Sequence, residues 1–264
     1  QGAAAARAPV VQHGAGARNL THRTSLIGPY SPSHTRAASM NHAARAAGSL
    51  DHVSEIPARL LQAEREVLLP LLERTIDSDF DRTTVCTEWS VRDIVAHCSA
   101  VLLALASGEP GRTFTPEQNQ REVDERRGWP LDALLAELKQ AHDLAAGSPA
   151  VAPVVLGVWI HGCDIRDALG IPNAYAAPGL PDALALLVER SIARGTPPVD
   201  VTLTDAADRG LDSAQVCLGD PNAEPVGWLR VDSPGLFRIV AGRRPELVER
   251  DVVGIDLDDL RLFR

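Results

Sequence analysis

The chain is poor in lysine, methionine, aromatics and cysteine, and each shortage excludes something. Its 264 residues hold one methionine (Met40), one lysine (Lys139), two tyrosines and 4% aromatic side chains overall. Four cysteines, Cys86, Cys98, Cys163 and Cys217, are widely spaced and form no CxxC pair. That excludes a dense disulfide framework or a thiolate-rich zinc module, and it points to a reduced, cytoplasmic setting. No apolar run approaches the roughly 20 residues that span a bilayer, so a membrane helix is not expected. Positive charge is in deficit too: Lys+Arg number 26 against 35 Asp+Glu, a net charge of −9. A non-specific nucleic-acid binder needs the opposite balance. Walker-type glycine loops, GxGxxG after a strand and GxSxG are all missing, which removes the main signals for nucleotide binding and for a serine hydrolase. A protein thiol nucleophile is weakly supported as well. Cys98 falls on an inward stripe, as a small buried hydrophobe does, and Cys163 projects from a different side of its helix than His161.

Residues 1–39 contain no Asp or Glu but carry Arg7, Arg18, Arg23 and Arg36 in an Ala-, Gly-, Ser- and Pro-rich background. Such a segment buries too little apolar surface to offset its ordering entropy. It is expected to be a disordered or upstream extension ahead of Met40, with an organellar transit peptide as the other reading.

Beyond that segment the chain is ordered by period. Apolar residues recur at helical spacing from Asp51 to about Ile76, with Pro70 as a predicted kink or break. Ser90 and Asp93 resemble a capping box opening a helix that runs to about Ser107. Further helices are expected over 116–127, from Pro130 to before Gly147, over Val154–Leu169 and over Pro181–Arg194. Beyond Pro197-Pro198 the pattern shortens to β-favouring runs, Val199–Thr204, Ala214–Leu218, Val226–Val231 and Val252–Ile255, with a short helix at Ser233–Val240. The predicted fold class is mainly α with a smaller α+β part. A helical bundle over 40–197 precedes a C-terminal α+β domain over 198–264.

Two histidines interrupt the apolar stripes. His97 lies between Ile94 and Val101, and His161 fills an aliphatic slot in the series Val154, Val158, Ile165, Ala168. Imidazoles pointing inward from two helices are the material of a metal site in a bundle core. The competing reading is a hydrogen-bonded packing histidine, with Asp164 holding His161 in one tautomer. His142 also faces its stripe, but in the last turn of its helix, where the helix dipole accounts for a histidine.

These residues carry a resemblance. Cys86-Thr87-Glu88-Trp89-Ser90-Val91-Arg92-Asp93-Ile94-Val95-Ala96-His97 resembles the C-x-x-W-S/T-V-R-D-hydrophobic-x-x-H signature of the mycothiol-dependent maleylpyruvate isomerase family, within the DinB-like metalloenzymes. Val158 to Gly170 resembles its second signature, E-x-W-V-H-x-x-D-hydrophobic-R-x-A-L-G, and Leu236 to Arg244 resembles a C-terminal L-x-x-x-x-x-G-R-R element. The resemblance implies a DinB-like up-down four-helix bundle holding a divalent metal, zinc, with a small α+β domain after it. It also implies mycothiol as thiol cofactor, a small electrophilic substrate, and a monomer or homodimer. His97 and His161 match the family's two histidine ligands. Its glutamate ligand falls at Gly157, so that carboxylate is missing here. Asp164 and His142 are the visible candidates to replace it, although Asp164 matches a residue that stands behind the histidine and orients it. Arg243 and Arg244 are candidates to clamp a substrate carboxylate. Two outcomes stay open: a thiol-assisted cis–trans isomerase or S-transferase, and a metal-poor, non-catalytic relative.

Overall fold

The computed structural model describes residues 50–86, 89–108 and 114–263, with side chains from residue 55 onward. The expectation for residues 1–39 lies outside these. Helix α1 spans Leu50–Arg74 and buries Leu60, Leu61, Leu68 and Leu72 along one stripe. It continues through Pro70 rather than breaking there. A proline costs the helix one amide donor, and the packed stripe on both sides of Pro70 offsets that loss.

Helix α2, Val91–Ala106, opens on the capping box as expected. The Ser90 hydroxyl accepts the Asp93 N–H, and the Asp93 carboxylate accepts the Ser90 N–H. Helix α3 covers Pro116–Arg126, α4 covers Leu131–Ala145, and a 3₁₀ turn at Pro149–Val154 leads into α5, Val155–Ala168. Helix α6 comes next at Leu180–Ala193. In the bundle α2 packs on α3, α4 and α5, while α1 packs on α4, α5 and α6. Helix α5 is therefore surrounded, and ten of its fourteen residues are buried.

Four short strands complete the described chain: β1 Val199–Leu203, β2 Gln215–Leu218, β3 Gly227–Val231 and β4 Arg250–Val253, in spatial order β2-β1-β3-β4. The β1–β3 pair is parallel and the two outer pairs are antiparallel. Helix α7, Ser233–Val240, lies between β3 and β4 in sequence. The fold is mainly helical with a small α+β part, and one continuous hydrophobic core runs through both. Trp159 on α5 stacks at 4.8 Å against Phe237 on α7, joining bundle to sheet region. Among the described residues no single helix is long and apolar enough to cross a membrane.

A buried ion pair fixes α1 to α5. Arg166 donates to both oxygens of Glu64, at 2.8 and 3.1 Å, with both side chains almost fully excluded from water. Gly162 makes the room, because a Cβ there would fall on the Glu64 carboxylate. Gly162→Ala is therefore expected to cost about 2–4 kcal/mol in a urea melt, through overpacking and disruption of the pair. Gly157→Ala, whose Cβ meets only Phe263 at 3.6 Å, should be neutral or stabilising by up to about 1 kcal/mol, since alanine favours the helix.

His142 departs from its expected role. It is fully buried on α4, and neither ring nitrogen has a hydrogen-bond partner among the described residues. Burial first, then the charge of Arg65, pushes its pKa down to about 4. The ring is neutral, so no favourable helix-dipole charge operates. Above the ordinary value of 6.5 the unfolded chain gains nothing by protonation; between 6.5 and 4 it binds the proton that the folded chain refuses. Stability should thus fall by about 3 kcal/mol as pH drops through that window. His142→Leu should flatten this limb in pH-dependent urea melts.

Candidate metal centre and cavity

The α2 stripe and the α5 stripe bring His97 and His161 face to edge. Their ring centroids are 5.2 Å apart with planes at 82°. Trp89, just before the α2 cap, lies 4.9 Å from the His97 ring and 6.2 Å from the His161 ring. Its indole N–H donates to Gln120 on α3. All three rings line a cavity of about 1090 Å³, together with Cys86.

Each imidazole turns its Nδ1 toward a buried carboxylate. Asp164 Oδ2 lies 3.3 Å from Nδ1 of His161, and Glu122 Oε2 lies 4.0 Å from Nδ1 of His97. At 3.3 Å Asp164 is placed to fix the His161 ring and its tautomer when the other nitrogen serves as a metal donor, whereas 4.0 Å from Glu122 to His97 Nδ1 is an ion-pair distance and not a hydrogen bond.

Asp164 is the most heavily engaged of these groups. Fully buried, it accepts from the Tyr175 hydroxyl and from Nε of Arg243, the latter at 3.2 Å to both oxygens, as well as facing His161. Burial alone would raise its pKa, but His161, Arg243 and Tyr175 outweigh burial and hold the carboxyl below its ordinary range. For His161 burial likewise opposes charge. Cys86 and Asp164 beside it more than compensate and carry its pKa up to about 9.

Position 157 lies one helical turn before His161 and presents no side chain. The carboxylate implied by the resemblance is absent, and the ring of Phe263 closes that side of the cavity. Of the two named substitutes, Asp164 is held by Arg243 and Tyr175, and His142 is not among the cavity-lining residues. Arg243 lies on the cavity wall, with Nη1 donating to the Ala241 carbonyl. Arg244 is exposed, takes a left-handed backbone with φ 48°, and does not line the cavity. Four arginines that no motif singles out do line it: Arg121, Arg190, Arg194 and Arg261. Neither Arg190 nor Arg194 pairs with a carboxylate among the described residues, while Arg190 stacks over Phe263 at 4.3 Å.

Cys86 is the other residue that sequence reasoning missed. Donor atoms of Cys86, His161 and Asp164 all lie within 4.8 Å of one another. Its only signal was its place at the head of the first signature, since it lies in a loop that no helical period reaches.

The helical bundle has a DinB-like fold, and Cys86, His161 and Asp164 at its cavity form a cluster that could hold a metal ion. Residues 61–162 match the family model for the mycothiol maleylpyruvate isomerase N-terminal domain. Its span includes His97, Gly157 and His161. A solved mycothiol-dependent maleylpyruvate isomerase is 15% identical with a TM-score of 0.50, covering 77% of this chain and 94% of its own. A histidine-to-alanine mutant of such an enzyme is 13% identical with a TM-score of 0.47 over the same shares. No match is found among curated proteins.

The Asp164 network has a direct consequence. Asp164→Asn keeps the shape but leaves the Arg243 guanidinium buried without its counter-charge. It is expected to lower stability by about 3–5 kcal/mol. Tyr175→Phe, which removes one donor only, should cost about 1–3 kcal/mol. Urea denaturation midpoints of the two variants separate these cases.

Proposed function

We propose that the protein is a mycothiol-dependent isomerase that acts on a small, anionic, unsaturated substrate and uses a divalent metal, zinc, held by His97 and His161. The observation that carries this reading is the pair of imidazoles, edge to face at 5.2 Å on the cavity wall, with the buried Asp164 carboxylate hydrogen-bonded to Nδ1 of His161. The donor set suits such a metal: two imidazoles and a nearby thiol match its preference for nitrogen and sulfur. When bound, the metal supplies the Lewis acidity that ionises a cofactor thiol near neutral pH.

The chain's own residues do the rest. Asp164 holds the His161 imidazole in place, and the buried Glu122 carboxylate lies 4.0 Å from Nδ1 of His97. Trp89 and Phe263 give the cavity apolar walls that limit water around a reactive thiolate. Arg190, Arg194 and Arg261 line the same cavity and neutralise substrate carboxylate, and Arg243 adds a fixed positive charge at the wall. A thiolate held there would supply reversible addition at the electron-poor carbon of a cis double bond, which would allow rotation to the trans form with no atom gained or lost. In the domain reading that goes with this, residues 40–197 carry the metal-binding bundle, and 198–264 contribute Arg243, Arg261 and Phe263 to the cavity wall.

Metal analysis of the purified full chain, with a maleylpyruvate assay in the presence of mycothiol, tests the proposal. About one equivalent of zinc is expected in the wild type. His97→Ala and His161→Ala should each lose more than the about 10–100-fold in affinity that an outer partner costs. Isomerised product should form free of thiol. A product retaining the thiol would indicate S-transfer instead. Sub-stoichiometric zinc, unchanged in both variants, would favour a non-catalytic relative of the fold.

A further inference from the structure

A catalytic zinc normally keeps three protein ligands, and two neutral imidazoles leave both a ligand and a negative charge wanting. Position 157 provides neither in this chain because it carries no side chain; a Cβ there would meet only Phe263, at an ordinary 3.6 Å. Asp164 is close enough, but its oxygens already serve Tyr175, Arg243 and His161. A dication on Asp164 would also sit against the Arg243 guanidinium, which the protein has placed there to be neutralised. Like-charge repulsion in a buried site opposes that arrangement.

Cys86 has neither handicap. Its side chain is buried yet lines the cavity, and its sulfur lies within 4.8 Å of donor atoms of His161 and Asp164. Its backbone is held at both ends: the Cys86 N–H donates to Thr84 Oγ1 at 3.1 Å, and its carbonyl accepts from the Trp89 N–H at 2.9 Å. The sulfur is therefore held close to His161, on the cavity that His97 also lines.

We propose that Cys86 supplies, as a thiolate, the anionic metal ligand that position 157 lacks, giving a Cys86–His97–His161 set. Coordination forms a sulfur–metal bond, breaks the S–H bond and releases that proton to solvent, so no oxidant or reductant is required. The thiolate offsets one charge of the dication as a carboxylate would, and sulfur with two imidazoles suits zinc. This inference rests on the reading that a divalent metal binds the cavity.

Cobalt(II) added to the metal-free full-length protein is the probe. A thiolate-to-cobalt charge-transfer band is expected in the near ultraviolet, saturating at about one equivalent. Cys86→Ser should abolish the band and weaken cobalt binding at least about 10–100-fold. Cys98→Ser, also on the cavity wall, should keep it. Adding Gly157→Glu to the Cys86→Ser protein should restore cobalt affinity without restoring the band. Should Cys86→Ser fail to fold, zinc should protect Cys86 of the wild type from iodoacetamide, read by peptide mass spectrometry. Stoichiometric cobalt binding without a thiolate band, a band that persists in Cys86→Ser, or alkylation of Cys86 indifferent to zinc overturns the inference and leaves the metalloenzyme reading standing. Failure of the wild type to bind cobalt or zinc at all overturns both.

Discussion

The buried carboxylate of Asp164 is the interaction on which the rest of the structure depends. It accepts from three directions: His161 on its own helix, Tyr175 from the segment after it, and Arg243 from beyond the sheet's third strand. A carboxylate taken out of water is tolerated only when its charge is answered and its oxygens are used. Here the answer comes from residues far apart in sequence, so the same contact that orients His161 also docks the C-terminal part onto helix α5. Arg238 with Asp167, at 2.6 Å, repeats the link nearby. Site geometry and the joining of the two parts are thus one physical problem with one solution.

Helix α5 bears the consequences on every side. One face meets the Glu64–Arg166 pair with α1, another carries Trp159 against Phe237, and a third offers His161 to the cavity. Its glycines are not interchangeable. Gly162 is required because Glu64 occupies the space, whereas Gly157 leaves only ordinary contact with Phe263. The side chain missing from the cavity wall at 157 is matched by an aromatic ring from the end of the described chain, with Arg190 stacked upon it. That end of the cavity combines an apolar plate with arginine charge, a surface suited to a flat anionic molecule.

Much of this was legible in the residues because helices and strands write their faces at fixed periods. The stripes around Ile94, Val101, Val158 and Ile165 placed both histidines inward, and the Ser90–Asp93 box set the start of α2. Ser233–Val240 formed a helix over the expected residues. What escaped notice depends on contacts between distant segments. Pro70 carries a helix because packing on both sides outweighs one lost donor. The neutrality of His142 comes from burial beside Arg65, which no local pattern reveals. Arg243 and Arg244 are adjacent in sequence yet divided in fate: one is buried on Asp164, the other is turned to solvent by a left-handed backbone. Cys86 sits in a loop, and loops carry no period.

The central proposal is that this cavity holds a divalent metal through protein nitrogen and sulfur rather than through a carboxylate at position 157. X-ray absorption at the zinc edge of the loaded, full-length protein tests it most directly. The predicted inner shell has one sulfur at about 2.3 Å and two imidazole nitrogens at about 2.0–2.1 Å. A shell of oxygen scatterers only, without imidazole or sulfur, would contradict it.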